Sequence, residues 1–417
     1  MKLDRMRVNM FDLLLCITNA GDLISEEVAN HHQQVAYLAF RIGERLGLQM
    51  QQKKDLLLAG LIHDIGAFAL DERLALIENE PLSVHDHGHR GALLIKDFKP
   101  LARVAEVIRY HHVPWEHGKG RTVNGNEVSY LSHIIHLADR IVVSINHQQN
   151  VLVQVERIMR EILAKKGSVY VPEAVDAVID MSTHDYIWLD VTHQSLLHIL
   201  SGLLAFDTMD LEIDEVIELT QIFAKIIDLR SPFTANHSVG VAKTAERLAQ
   251  LMGFSETECK MMLIAGYLHD LGKLVISKDI LHKQGNIDNE ERIVIRSHTY
   301  YTYRLLENIK GFETINKWAS FHHEKLNGQG YPFRLPGDSI PLGSRIMAVA
   351  DVFTAITEDR PYRAGMPLEK ALAVLDSMVT DGSLCPLVVA ALKAHARDIN
   401  EARKTAQRAR VDDELTA

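Results

Sequence analysis

The sequence predicts an all-α protein made of two tandem helical domains that descend from one internal repeat. Three observations predict it. A scattered set of metal-ligand residue types occurs twice, apolar residues recur at helical spacing along most of the chain, and strand-like alternation is scarce. The first copy of the set reads His31, His63-Asp64, His87, His111-His112 and Asp139, and the second reads His237, His269-Asp270, His298, His322-His323 and Asp351. The offset between copies is 206 for His31/His237 and His63/His269, 211 for His87/His298 and His112/His323, and 212 for Asp139/Asp351. A nearly constant offset is what a duplication followed by a small insertion leaves behind.

The chain has 417 residues, enough for two domains that each bury a core. Its net charge of −10 excludes a broad nucleic-acid surface but leaves room for a small anionic ligand held by a local cluster. Cys16, Cys259 and Cys385 are isolated, which fits a reducing compartment and no disulfide framework. The apolar run Phe11–Ile17 after Lys2, Arg5 and Arg7 imitates a leader peptide. It is interrupted by Asp12 and followed by no small-residue cleavage site, so a cytoplasmic chain is expected. No run approaches the roughly 18 apolar residues of a membrane span.

The elements repeat in order. Val35, Leu38, Ala39, Ile42 and Leu46 predict a helix closed by Gly47; Val241, Thr244, Ala245, Leu248 and Leu251 predict its partner, closed by Gly253. Asp55–Asp64 and Glu258–Asp270 form a second matched helix that ends in the His-Asp pair. Further on, Ser132–Asp139 aligns with Ser344–Asp351, and Gly167-Ser168 with Pro172 aligns with Gly382-Ser383 and Pro386. Asp207–Leu229 reads as a helical connector, so the domains are drawn as 1–206 and 207–417. Gly328–Pro341 reads as a loop, and Glu401–Ala417 as a charged, fraying tail.

Seven His and Asp ligands exceed the need of one ion. The economical reading of the second copy is two ions sharing a carboxylate, with Asp270 as the natural bridge. Sets of His and Asp without Cys favour the harder divalent metals. Two adjacent ions clamp the attacking and leaving oxygens of a phosphate ester and activate water at neutral pH, so phosphate-ester hydrolysis is the expected chemistry. Lys273, in His269-Asp-Leu-Gly-Lys273, can place an ammonium beside a phosphate oxygen. Gly328-Gln-Gly-Tyr-Pro332 follows the His pair directly, and Arg360 and Arg363 supply forked donors suited to phosphate or a guanine edge.

These residues carry a family resemblance. His237, His269–Lys273, His298, His322–Pro332, Ile340–Leu342, Ala348–Phe353 and Asp359–Arg363 resemble the HD-GYP family, a branch of the HD-domain metal-dependent phosphohydrolases. The likeness spans roughly residues 215–395, and residues 1–205 resemble a plain HD domain. It implies an all-helical fold, two divalent ions (iron or manganese) and hydrolysis of a bacterial cyclic dinucleotide. Cyclic di-GMP, cut to linear pGpG and further to GMP, is the first expectation, by in-line attack of a metal-bridging hydroxide. Similarity puts His237, His269, Asp270 and Asp351 on one ion and Asp270, His298, His322 and His323 on the other. It puts Lys273, Arg360 and Arg363 on the substrate phosphates and Tyr331 beside the pocket, with Asp270 and Lys273 as the catalytic pair.

The chain departs from the family pattern in several places. Phe233 stands where some members carry a Glu that holds a third metal, so two are expected. Asn327-Gly328 replaces Asp-Gly, Thr354 replaces a frequent Asp, and Thr302 a frequent Gly. These changes bear on base specificity, which leaves 3′,3′-cyclic GMP-AMP as the alternative substrate. A non-catalytic cyclic-dinucleotide sensor is the alternative of a different class.

In the first copy Ala67 occupies the place of Lys273, and no Gly-Tyr-Pro follows His111-His112. The first copy is therefore expected to be regulatory, with a second metal site at His31, His63, Asp64, His87, His111, His112 and Asp139. His32 and His89 are alternatives to His31 and His87, which the repeat offset favours. A signalling chain of this size fits a homodimer and a signalling-protein partner.

Overall fold

The computed structural model describes residues 6–23, 30–67, 85–203, 209–230, 236–283, 285–359 and 364–408. Helices dominate. The named strands among the described residues form two short antiparallel pairs, Arg7–Asn9 with Asp210–Glu212 and Thr122–Val123 with Asn126–Glu127. The all-α expectation holds. No helix among the described residues is long and apolar enough to cross a membrane.

The chain divides into two compact units, Ser25–Thr208 and a second made of Met1–Ile24 with Met209–Ala417. The cut lies close to the boundary drawn from the sequence, but the first 24 residues differ from expectation by joining the C-terminal unit. The reason is local. Val8 and Leu211 face each other in the strand pair and both are buried. Met10 N donates to Met209 O at 2.8 Å, and Arg7 Nε pairs with Glu212 at 3.0 Å. The helix Met10–Asp22 then buries Leu13, Leu14 and Ile17 against the turn Leu271–Val275 and the helix His298–Leu306. The apolar run near the start is a core helix of the C-terminal unit.

In each unit two neighbouring helices carry the first candidate ligands, His31–Arg45 with Met50–Ile62 and His237–Leu251 with Glu256–Leu268. Their close approach is set by one glycine. A Cβ on Gly60 would lie 2.5 Å from Ala36 Cα, and one on Gly266 2.3 Å from Ala242 Cα. Gly47 (φ 68°) and Gly253 (φ 82°) leave the first helix of each pair in the left-handed region, as their C-cap reading requires. The second helix opens with a capping box in both units, Gln49/Gln52 and Ser255/Glu258. It ends one residue before the His-Asp pair, so those side chains project from the first turn beyond the helix. The last ligand sits on the helix Tyr130–Val143 in one unit and Leu342–Thr357 in the other.

The tail reading is corrected up to Arg408. Ala396–Arg408 is a helix packed on His237–Leu251, and Arg403 is only 2% exposed. Its guanidinium donates to Thr357 O at 3.2 Å, to Asn400 Oδ1 at 2.9 Å and to Gln407 Oε1 at 2.6 Å. A buried guanidinium with these partners anchors a segment whose charge alone suggested fraying. Residues 409–417 lie outside the described residues.

Candidate metal centres

The C-terminal unit brings together all seven residues of the second set. Backbone carbonyls orient three of the rings. His269 Nδ1 donates to Gly266 O at 2.8 Å, His298 Nδ1 to Ile295 O at 2.6 Å, and His322 Nδ1 to Ala319 O at 2.6 Å. A carbonyl can only accept, so the proton of each neutral ring sits on Nδ1 and the Nε2 lone pair faces inward. These inward atoms form two groups that could each hold an ion, His237-His269-Asp270 and His298-His322-His323. Asp270 reaches both. Its Oδ2 is 3.3 Å from His269 Nε2 and its Oδ1 3.4 Å from His298 Nε2. Asp351 Oδ1 lies 3.2 Å from His237 Nε2.

The donor set fits divalent metal. His269 Nε2 is buried with no properly directed hydrogen bond, which is costly unless something else takes its lone pair. Burial would push the Asp270 and Asp351 carboxyls up, but surrounding imidazoles, joined at Asp270 by Lys273, hold both well below the usual range. Burial pushes His298 down to about 3, so that ring stays neutral. Burial would also lower His237, yet the Glu358 and Asp351 carboxylates outweigh it and lift the imidazole to about 10. Metal taken up at His237 would therefore displace a proton held there by the two carboxylates.

Lys273 sits where the sequence placed it. Its Nζ donates to Asp270 Oδ2 at 2.6 Å, and its side chain is 21% exposed. Tyr331 lies beside the centre, its ring 4.9 Å from that of His323. Arg360 and Arg363 lie outside the described residues, as does Phe233.

Four residues that bear on the site escaped the sequence reading. Glu358 receives the His237 Nδ1 proton at 3.1 Å, the carboxylate–histidine relay that fixes a ligand's tautomer. Arg296 covers the Tyr331 ring with its guanidinium 4.5 Å from the centroid. Glu324, buried, accepts from Phe333 N at 2.7 Å and Leu335 N at 3.0 Å and so pins the Gly-Tyr-Pro loop. Asp228 accepts from Ser238 N at 3.2 Å and Ser238 Oγ at 2.7 Å beside His237, and burial pushes it up to about 7. Of these only Glu358 had a signal in the sequence, since it lies two helical turns beyond Asp351. Thr302 has a role as well: its hydroxyl donates to His269 O at 3.1 Å and accepts from Gly272 N at 2.9 Å, tying down the His-Asp turn.

The N-terminal unit repeats the arrangement. Asp64 belongs to both of its groups, His31-His63-Asp64 and Asp64-His87-His111-His112. His63 Nδ1 donates to Gly60 O at 2.9 Å and His111 Nδ1 to Ile108 O at 2.6 Å. His87 Nε2 is 3.0 Å from Asp64 Oδ1, and His31 Nε2 is 3.2 Å from Asp139 Oδ1. His32 is buried with its ring 5.4 Å from those of His31 and His63, but His31 makes the Asp139 contact. His89 is exposed and faces a separate cavity. The cations differ between the units. Ala67 stands where the other unit has Lys273, while Arg140 takes Asp139 Oδ2 at 2.7 Å, where the second copy has Val352.

Comparison with known proteins agrees with this geometry. HD-domain family models match residues 28–143 and 221–384. A 3′3′-cGAMP-specific phosphodiesterase of Vibrio cholerae is 30% identical over 90% of this chain and 89% of its own length. The chain belongs to the tandem HD-domain cyclic-dinucleotide phosphodiesterases. A cyclic di-GMP phosphodiesterase response regulator of Xanthomonas campestris is 36% identical over 36% of the chain and 41% of its own length. Among solved structures, a cyclic GMP-AMP specific phosphodiesterase of V. cholerae shares the fold. Its TM-score is 0.66 at 24% identity, over 94% of this chain and 98% of that one. Members of the family are metal-dependent hydrolases, and this HD-domain phosphodiesterase carries His and Asp clusters able to hold divalent metal.

Proposed function

We propose that the C-terminal unit hydrolyses 3′,3′-cyclic GMP-AMP in preference to cyclic di-GMP, giving a linear dinucleotide with a 5′-phosphate. The observation that carries the preference is the 30% identity to a cGAMP-specific enzyme that runs through both units. The cyclic di-GMP relative is matched over little more than a third of the chain. The departures from the family pattern at Asn327, Thr302 and Thr354 fit a changed base preference. This reorders the sequence expectation, which put cyclic di-GMP first.

Two divalent ions, iron or manganese, would be held by His237, His269, Asp270 and Asp351 on one side and Asp270, His298, His322 and His323 on the other. When bound, such ions supply Lewis acidity and an activated water. The chain supplies the rest. Three backbone carbonyls and Glu358 orient four of the imidazoles and set their tautomers before metal and substrate arrive. Lys273 holds its ammonium on the bridging carboxylate, where it can shift towards a phosphate oxygen as negative charge grows. Tyr331, braced by Arg296, walls the pocket beside His323. Arg360 and Arg363 are assigned to the substrate phosphates.

The test is competitive turnover. Protein loaded anaerobically with Fe(II) or Mn(II) is offered equal amounts of both cyclic dinucleotides, and products are separated by chromatography. Faster loss of 3′,3′-cyclic GMP-AMP is expected; faster loss of cyclic di-GMP overturns the preference, and binding without product moves the assignment to a sensor.

A further inference from the structure

The N-terminal unit keeps the backbone of the Gly-Tyr-Pro loop although its sequence hides it. In the C-terminal unit Leu326 N and Asn327 N donate to Ser383 O and Gly382 O at 3.5 and 2.9 Å. In the N-terminal unit Glu116 N and His117 N donate to Ser168 O and Gly167 O at 2.8 and 2.7 Å. One offset of 210 then carries Gly118-Lys119-Gly120-Arg121 onto Gly328-Gln329-Gly330-Tyr331. Gly118 and Gly328 both have positive φ, 93° and 73°. A Cβ on Gly120 would strike Pro114 O at 1.9 Å, and one on Gly330 would come within 2.5 Å of Glu324 Cα, the residue at the same offset. The aromatic and cationic partners are exchanged: Arg121 lies over Trp115 at 4.8 Å, where the other unit has Arg296 over Tyr331.

This loop borders a cavity of about 430 Å³, within the range of small-molecule sites. Arg109, Lys119 and His89 line it with positive or titratable nitrogen, and Tyr110 and Asn124 add an aromatic face and an amide. Arg109 and Lys119 stand where the other copy has Ser320 and Gln329, so both cations are particular to this unit. Arg109 Nε donates weakly to His89 Nδ1 at 3.4 Å. Among the described residues the wall carries one carboxylate, Glu116. Its rim is shaped by a hairpin, in which Asn124 (φ 50°) and Gly125 (φ 79°) form the two-residue turn between Thr122–Val123 and Asn126–Glu127.

We infer that this cavity binds a phosphate-bearing ligand of nucleoside-monophosphate size, with the phosphate on Arg109 and Lys119 and the base against Tyr110 and Asn124. The inference rests on the reading of Gly328–Pro332 as the loop that borders substrate in the other unit. With Ala67 in place of a lysine beside Asp64, the assignment is binding rather than turnover.

The experiment is calorimetric titration of the full chain with 5′-GMP and, separately, inorganic phosphate, in the wild type and in an Asp270→Ala background that disables the C-terminal centre. One 5′-GMP site is expected to persist in that background, with phosphate binding more weakly. Arg109→Ala and Lys119→Ala should each weaken it about tenfold or more. Arg109→Lys should recover part of the loss, and circular dichroism melting checks that the variants fold. No binding at millimolar 5′-GMP, or binding unchanged in folded Arg109→Ala and Lys119→Ala, overturns the site. Equal affinity for phosphate and 5′-GMP overturns the nucleoside part. If neither cyclic dinucleotide is turned over, the proposed function fails, while the titration still reads the cavity alone.

Discussion

At the scale of single residues the site divides into groups that carry chemistry and groups that orient them. Lys273 belongs to the first kind, since its ammonium sits directly on the Asp270 carboxylate, with Asp351 and Asp228 adding to the negative field around it. Lys273→Ala is expected to lower kcat by about 10²–10³-fold with metal content unchanged, read by steady-state kinetics and elemental analysis of the same sample; unchanged kcat would remove the lysine from the mechanism. Glu358 belongs to the second kind. Glu358→Gln keeps a hydrogen bond to His237 Nδ1 but removes the charge, so C-terminal metal affinity should fall by about 10–100-fold. Measured metal affinity in that variant equal to wild type would reduce Glu358 to a packing role. The His and Asp clusters were legible in the sequence because their spacing is duplicated. Glu324 and Arg296 were not, because a side chain that acts through another residue leaves no fixed spacing; Glu358 left only its position two helical turns beyond Asp351.

At the scale of elements, the repeat is carried by backbone geometry more than by side chains. The paired helices and the His-Asp turn that ends the second of them could be read from aligned residues, whereas the close approach at Gly60 and Gly266 emerges only from the structure. The loop after the His pair could not, because Arg121 stands where Tyr331 does and only the hydrogen bonds to Gly167-Ser168 and Gly382-Ser383 reveal the match. The helix that closes the C-terminal unit, Ala396–Arg408, was also obscured, since Arg403 is buried by partners distant in sequence. Gly330 gives a test at this scale. Gly330→Ala would put a Cβ 2.4 Å from Lys325 N, forcing the loop to shift. Turnover should fall at least tenfold while the melting temperature moves by only a few degrees; full activity would show that the loop's position is not needed.

At the scale of the whole molecule, metal and proton compete for the C-terminal unit. Burial opposes charge on His237, but Glu358 and Asp351 raise its metal-free value to about 10. A raised value means the proton is held at pH 7 and must leave when metal enters. Apparent metal affinity should therefore rise about tenfold per pH unit between pH 7 and 9, with proton release seen as buffer-dependent binding heats. A flat profile would mean that His237 is not a ligand. Without metal, the same raised value favours the folded state below about pH 6.5, and that contribution fades as pH climbs through about 10. The central claim is that one of two similar centres does the hydrolysis, the one bridged by Asp270 beside Lys273. The most direct test is the rate of cyclic GMP-AMP hydrolysis in Asp270→Ala against Asp64→Ala, both fully folded and metal-supplied. Turnover is expected to fall by about 10³-fold or more in Asp270→Ala and to be retained in Asp64→Ala. Hydrolysis that survives in Asp270→Ala, or disappears only in Asp64→Ala, would contradict that claim.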